Sequence, residues 1–193
     1  LRPKIALIAG HMNHDPGATC PDGLTEASVN YSIAFLLQRM LREDGFDVDI
    51  MGEYDERLYQ FEGLLMLSIH NDTCQFISSD MSGFKVAVSY VNPIPDNPKR
   101  LLSCLSDRYA RRTDLRYHAN TITPDPEIAF DLVTRQPRAD RVVPTCTIQC
   151  SPPPQKGSES QKRRCAIGVL RDGSVGDELQ IMQTAVEAVG GQE

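Results

Sequence analysis

The chain has 193 residues, 40% of them hydrophobic and 24% charged, the values of an ordinary globular domain large enough to bury a core. Lys and Arg number 20 against 26 Asp and Glu, and the net charge of -6 argues against nucleic acid or an acidic membrane surface as partner. No apolar run is long enough to span a bilayer and no basic-then-apolar leader opens the sequence; because the chain begins at Leu1, a processed product is compatible with this and export stays open.

The first element is the run KIALIAGH from Lys4 to His11. An almost wholly apolar stretch ending in glycine and histidine reads as a buried strand that delivers an imidazole at its carboxyl end. A polar loop rich in Gly, Pro, Asp and Asn follows, from His11 to Gly23. Thr25 is placed to cap a helix in which Val29, Ile33, Leu36, Leu37, Met40 and Leu41 share a face. Gly45 closes that helix, and Phe46, Val48 and Ile50 alternate with Asp47 and Asp49 as a short strand.

Met51 to Gln60 reads as an acidic loop running into a short helix. Leu64 to His70, LLMLSIH, repeats the opening pattern: an apolar run that stops at a histidine. Parallel strands bring such ends to one edge of a sheet, where α/β proteins build their sites. Asn71 to Ser82 is expected as a loop, Phe84 to Val91 as a strand, Asn92 to Asn97 as a turn, and Leu101, Leu102, Leu105 and Tyr109 mark a second helix.

After Thr134 the composition changes. Residues 135–165 have few apolar side chains, three consecutive prolines and a basic excess, and read as loop or disorder. The chain therefore divides into a core over 1–134, this polar segment, and an end at 166–193, with Ala166 to Leu170 as a strand and Glu178 to Val189 as a helix. Glu127 to Val133 reads as a short helix before the break. The six cysteines are scattered, unlike the dense framework of a small secreted scaffold.

Three residues carry chemistry if the strand ends meet: His11, Glu26 and His70. Two imidazoles and a carboxylate form a common ligand set for a catalytic zinc that keeps a position for water. Glu26, in the first helical turn, can point back at the sheet edge. Spacing alone leaves the alternative open that these are unrelated loop and cap residues.

Four motifs in order add to this: Gly10-His11, Asp15-Pro16-Gly17-Ala18, Thr25-Glu26-Ala27 with Val29-Asn30, and Leu67-Ser68-Ile69-His70-Asn71. In these the chain resembles the zinc-dependent N-acetylmuramoyl-L-alanine amidases of bacterial peptidoglycan. The resemblance implies a single α/β domain with a mixed, mainly parallel sheet of about six strands flanked by helices. It implies zinc on His11, Glu26 and His70, and hydrolysis of the amide between N-acetylmuramic acid and L-alanine. Peptidoglycan or a muropeptide is then the partner, in the cell envelope or outside the cell. Asn120 to Pro124, with Ala129 and Phe130, resembles the segment some members carry before their last strand.

One family feature is missing. A second glutamate is expected on a Pro-Ala-x-Ile-x-Glu-like strand soon after Phe130, where this chain has Gln136 to Val142 with arginine in place of the acid. Arginine holds its proton throughout the working pH range and is no base. Glu127 lies too early and Glu159 falls in the proline-rich run, so the catalytic acid or base is unassigned. A slip of reading frame between about Phe130 and Gln136 accounts for the break, because one codon choice shifts into Asn-Pro-Ala-Leu-Ile-Glu-Leu. His14, His118 and Asn71 are candidates for touching substrate or steadying a ligand. A different class of reading is a non-catalytic cell-wall binding module that keeps the cleft. The oligomeric state is not legible.

Overall fold

The computed structural model describes residues 2–71, 83–88, 97–113, 115–118 and 145–151. Among them run strand β1 (Lys4–Ala9), helix α1 (Glu26–Glu43), strand β2 (Asp47–Met51), a 3-10 turn (Glu56–Gln60), strands β3 (Leu65–Asn71) and β4 (Gly83–Val88), helix α2 (Asn97–Thr113) and strand β5 (Thr145–Ser151). The strands form one sheet in the order β2-β1-β3-β5-β4. Four are mutually parallel, and β4 pairs antiparallel with β5 at the edge.

Side chains alternate across β1, and the two faces are covered differently. Ile5, Leu7 and Ala9 pack with Leu65, Leu67 and Ile69 of β3 beneath Ala34, Leu37 and Leu41 of α1. Leu101, Leu105 and Tyr109 of α2 extend this core over Phe84 and Val86 of β4. Ala6 and Ile8 face the other way, against Met51, Met66 and Leu58 of the 3-10 turn. Each fully buried large side chain contributes roughly 1.5–3 kcal/mol, so the continuous apolar runs of β1 and β3 follow from coverage on both faces.

Local signals hold α1 in place. The Thr25 hydroxyl accepts the Ser28 N–H at 3.2 Å, as the sequence suggests for a cap. At the far end the chain reverses through Gly45, and the Phe46 N–H reaches the Leu41 carbonyl.

The β2-β1-β3 order places a topological switch between β1 and β3. The chain leaves β1 toward one side for β2 and reaches β3 on the other, which opens a crevice at their carboxyl ends.

Two outcomes concern the tail. Within 135–165, read as loop or disorder, Thr145–Ser151 forms β5 and lies directly beside β3. Thr145, Thr147 and Ile148 are β-branched and give this otherwise polar stretch strand propensity. The expected helices at Glu127–Val133 and Glu178–Val189, the strand at Ala166–Leu170, and Glu159 lie outside the described residues, as does the loop after Asn71. Cys20 takes part in a disulfide, and Cys104 is free.

Candidate active site

His11 follows β1 and His70 belongs to β3, so both imidazoles stand at the switch crevice. Their rings lie edge to face with centroids 5.5 Å apart. Two glycines make this possible. A Cβ at Gly10 would lie 2.5 Å from His70 Nδ1, and one at Gly17 would come 2.8 Å from both the His11 ring and the Glu26 side chain. Gly17 also has φ +60, a conformation open to few other residues. His11 adopts the same left-handed region, with φ 65.

Glu26 opens α1 and lies between the rings. Its Oε2 is 3.5 Å from His11 Nε2 and its Oε1 is 3.4 Å from His70 Nδ1. Each oxygen also accepts a backbone N–H: Asn71 donates to Oε1 at 3.0 Å and Ala18 to Oε2 at 3.3 Å. Burial alone would raise the Glu26 pKa; the neighbouring His70 and His11 outweigh it and hold the carboxyl below its ordinary range. A helix N-terminus favours the same anion.

The other nitrogen of each histidine meets another carboxylate. His11 Nδ1 donates to Asp15 Oδ1 at 2.8 Å, and His14 Nδ1 to Asp15 Oδ2 at 2.7 Å. The Gly17 N–H also serves Asp15, and with the His14 contact it brings the Asp15 pKa down to about 2. An ionised carboxylate only accepts, which fixes the hydrogen on Nδ1 of His11 and turns Nε2 toward Glu26.

His70 Nε2 lies 2.9 Å from Glu53 Oε1, on the loop after β2. The two groups are in ion-pair contact, and this buried nitrogen has no hydrogen-bond partner among the described residues. Burial opposes the charged imidazole, yet Glu26 and Glu53 together raise the His70 pKa to about 9. Ligand atoms of His11, Glu53 and His70 all lie within 4.8 Å of one another, compatible with a metal ion. Sequence reasoning missed Glu53. The available signal was its place just past the end of β2, at the same carboxyl edge as both histidines.

Asn71 is buried and faces inward. Its amide donates to Asn30 Oδ1 at 2.8 Å, and Asn30 donates to the Gly10 carbonyl at 3.0 Å, so β1, α1 and β3 are tied together below the site. His14 lies at the rim with its ring 4.3 Å from that of Tyr54. His118 is further along the edge: its N–H donates to the Phe84 carbonyl and its ring covers Gly83, two strands from β3 in the sheet. On β5, Gln149 stands in register with His70.

The profile of the N-acetylmuramoyl-L-alanine amidases matches residues 5–143. The chain belongs to that family. No curated protein sequence matches it. Among solved structures, an N-acetylmuramoyl-L-alanine amidase from Clostridium difficile 630 aligns with TM-score 0.63 at 14% identity, covering 100% of this chain and 99% of that one. The amidase AmiC2 of Nostoc punctiforme gives 0.60 at 14%, over 97% and 94% of the two chains. The CwlD amidase from Clostridioides difficile, solved with the GerS lipoprotein, gives 0.56 at 18%, again over 97% and 94%. At such identities these amidases share the fold with this chain, and its family membership rests on the profile.

Proposed function

We propose that this chain is a zinc-dependent hydrolase of peptidoglycan, cutting the amide between the lactyl group of N-acetylmuramic acid and the L-alanine of the stem peptide. One observation carries the reading: a single carboxylate meets two imidazoles, with Glu26 3.5 Å from His11 Nε2 and 3.4 Å from His70 Nδ1. Charge-assisted hydrogen bonds are shorter, at about 2.7–2.9 Å. Neighbouring donors of a tetrahedral zinc with bonds of about 2.0–2.1 Å are roughly 3.4 Å apart. On this reading His11, Glu26 and His70 would hold the ion, Glu26 facing His11 with Oε2 and His70 with Oε1, while the ligand atoms of His11, Glu53 and His70 are the three that lie within 4.8 Å of one another.

Zinc in such a setting lowers the pKa of a water and polarises a carbonyl, the chemistry that amide hydrolysis needs. The chain's own residues prepare for it. Ala18 and Asn71 each hold one oxygen of Glu26 through a backbone N–H. Asp15 sets the tautomer of His11, and Gly10 and Gly17 leave room for the rings. The place of action on this reading is the cell envelope or the extracellular space, and the disulfide at Cys20 fits an oxidising compartment.

A second reading has one observation in its favour. The carboxylate that the family resemblance leads one to expect after Phe130 is absent from Gln136 to Val142, and the strand beside β3 places Gln149, an amide, level with His70. An amide neither takes up nor releases a proton in the working range. On that account the chain is a non-catalytic cell-wall binding module that keeps the cleft. Purified peptidoglycan incubated with the chain and zinc separates the two. Stem peptides with a free L-alanine amino group, absent with His70→Ala, support the hydrolase; co-sedimentation with the wall without release supports the binding module.

A further inference from the structure

Glu53 has no part in the proposed ligand set, yet it touches both of its histidines. Its Oε2 accepts the backbone N–H of His11 at 3.1 Å, and its Oε1 lies 2.9 Å from His70 Nε2. The first contact pins a residue whose backbone sits in the left-handed region, a conformation that persists only where neighbours enforce it. The second is an ion-pair contact to a buried nitrogen that has no hydrogen-bond partner among the described residues.

Each histidine thus has one nitrogen on an outer carboxylate and the other on Glu26. His11 meets Asp15 at 2.8 Å and His70 meets Glu53 at 2.9 Å, whereas the two contacts to Glu26 measure 3.5 and 3.4 Å. Short contacts on one side of each ring and longer, converging ones on the other separate orienting partners from co-ligands. Glu53 falls in the first group, although its distances to the two histidines would also allow it to be a ligand.

Resting on the zinc reading above, we infer that Glu53 is a positioning residue. It fixes His70 so that Nδ1 is the ligand nitrogen and Nε2 carries the hydrogen, and it braces the His11 turn at the same time. The loop after β2 thereby joins the site and couples the outermost parallel strand to the crevice.

Nitrogen-15 spectra of the full chain loaded with zinc, reading the ring nitrogens of His70, test this without any variant. The expected result is a coordinated Nδ1 and a protonated Nε2. Coordination through Nε2 would bring Glu53 into the ligand shell and overturn the inference. A chelator competition adds a second readout. Glu53→Gln is expected to keep stoichiometric zinc with affinity about 10- to 100-fold lower, and Glu53→Asp to recover part of the loss. Unchanged affinity in Glu53→Gln contradicts the role. Failure of the unmodified chain to take up zinc overturns both the inference and the metal site beneath it, whereas uptake with the wrong nitrogen overturns the inference alone.

Discussion

Gly10 and His70 are interlocked: the imidazole lies against the glycine Cα, and a Cβ there would stand 2.5 Å from Nδ1 and 2.8 Å from Nε2. The Gly10 N–H also bonds the Ile69 carbonyl at 3.0 Å, so the backbone has no slack. Gly10→Ala is therefore expected to force the ring out of line, at a cost of about 1–3 kcal/mol in stability. Thermal unfolding with and without zinc checks this: the variant should melt lower and gain less from the metal than the parent chain does.

Below the site, Asn30 and Asn71 connect three elements. Removing the Asn30 side chain leaves the buried Gly10 carbonyl and the Asn71 amide without these partners. Asn30→Ala is expected to cost about 1–3 kcal/mol in urea unfolding. Asn30→Asp should be no better, since it cannot donate to the Gly10 carbonyl.

The pH dependence of the metal-free chain follows from His70. Burial works against its charge, but Glu26 of α1 and Glu53 of the loop after β2 outweigh burial and hold the proton to about pH 9, with His11 facing the same ring. The native pKa is above the ordinary 6.5, so the stabilisation is complete below about pH 6.5 and is lost as pH rises through about 9. Unfolding midpoints should fall across that window, by no more than about 3 kcal/mol. Zinc uptake must expel the same proton, so apparent affinity should climb by about tenfold per pH unit toward pH 9. Two flat profiles would show that His70 does not titrate there.

Gln149 offers a test of catalytic competence. Its register with His70 puts it at the carboxyl edge of the sheet, beside the crevice. Gln149→Glu is expected to raise turnover on peptidoglycan about 10- to 100-fold, in the range of a positioned acid or base, and to leave zinc stoichiometry unchanged. No gain in turnover would mean that proton transfer does not depend on this position.

Much of the fold was legible because it is written in apolar periodicity. The runs ending at Gly10 and His70 mark covered strands, and Thr25 and Gly45 bracket α1 with end signals that act locally. The nearness of His11 to His70 was legible because neighbouring parallel strands deliver their ends to one edge, and Glu26 joins them from the first turn of α1. Glu53 was not legible, since one acid among several between Met51 and Gln60 carries no local mark; only the β2-β1-β3 order brings it under His70. Strand β5 was hidden for a related reason. TCTIQCS is polar by composition, and its place beside β3 is set by long-range pairing that no window of sequence reports.

The account's central claim is that His11, Glu26 and His70 converge on one divalent ion. Metal analysis of the chain after equilibration with zinc and gel filtration tests it most directly. The account predicts a single zinc per chain, lost on changing His11, Glu26 or His70 to alanine and retained, more weakly, in Glu53→Gln. Absence of zinc from the parent chain, or loss that follows Glu53 while Glu26→Ala still binds fully, would contradict it.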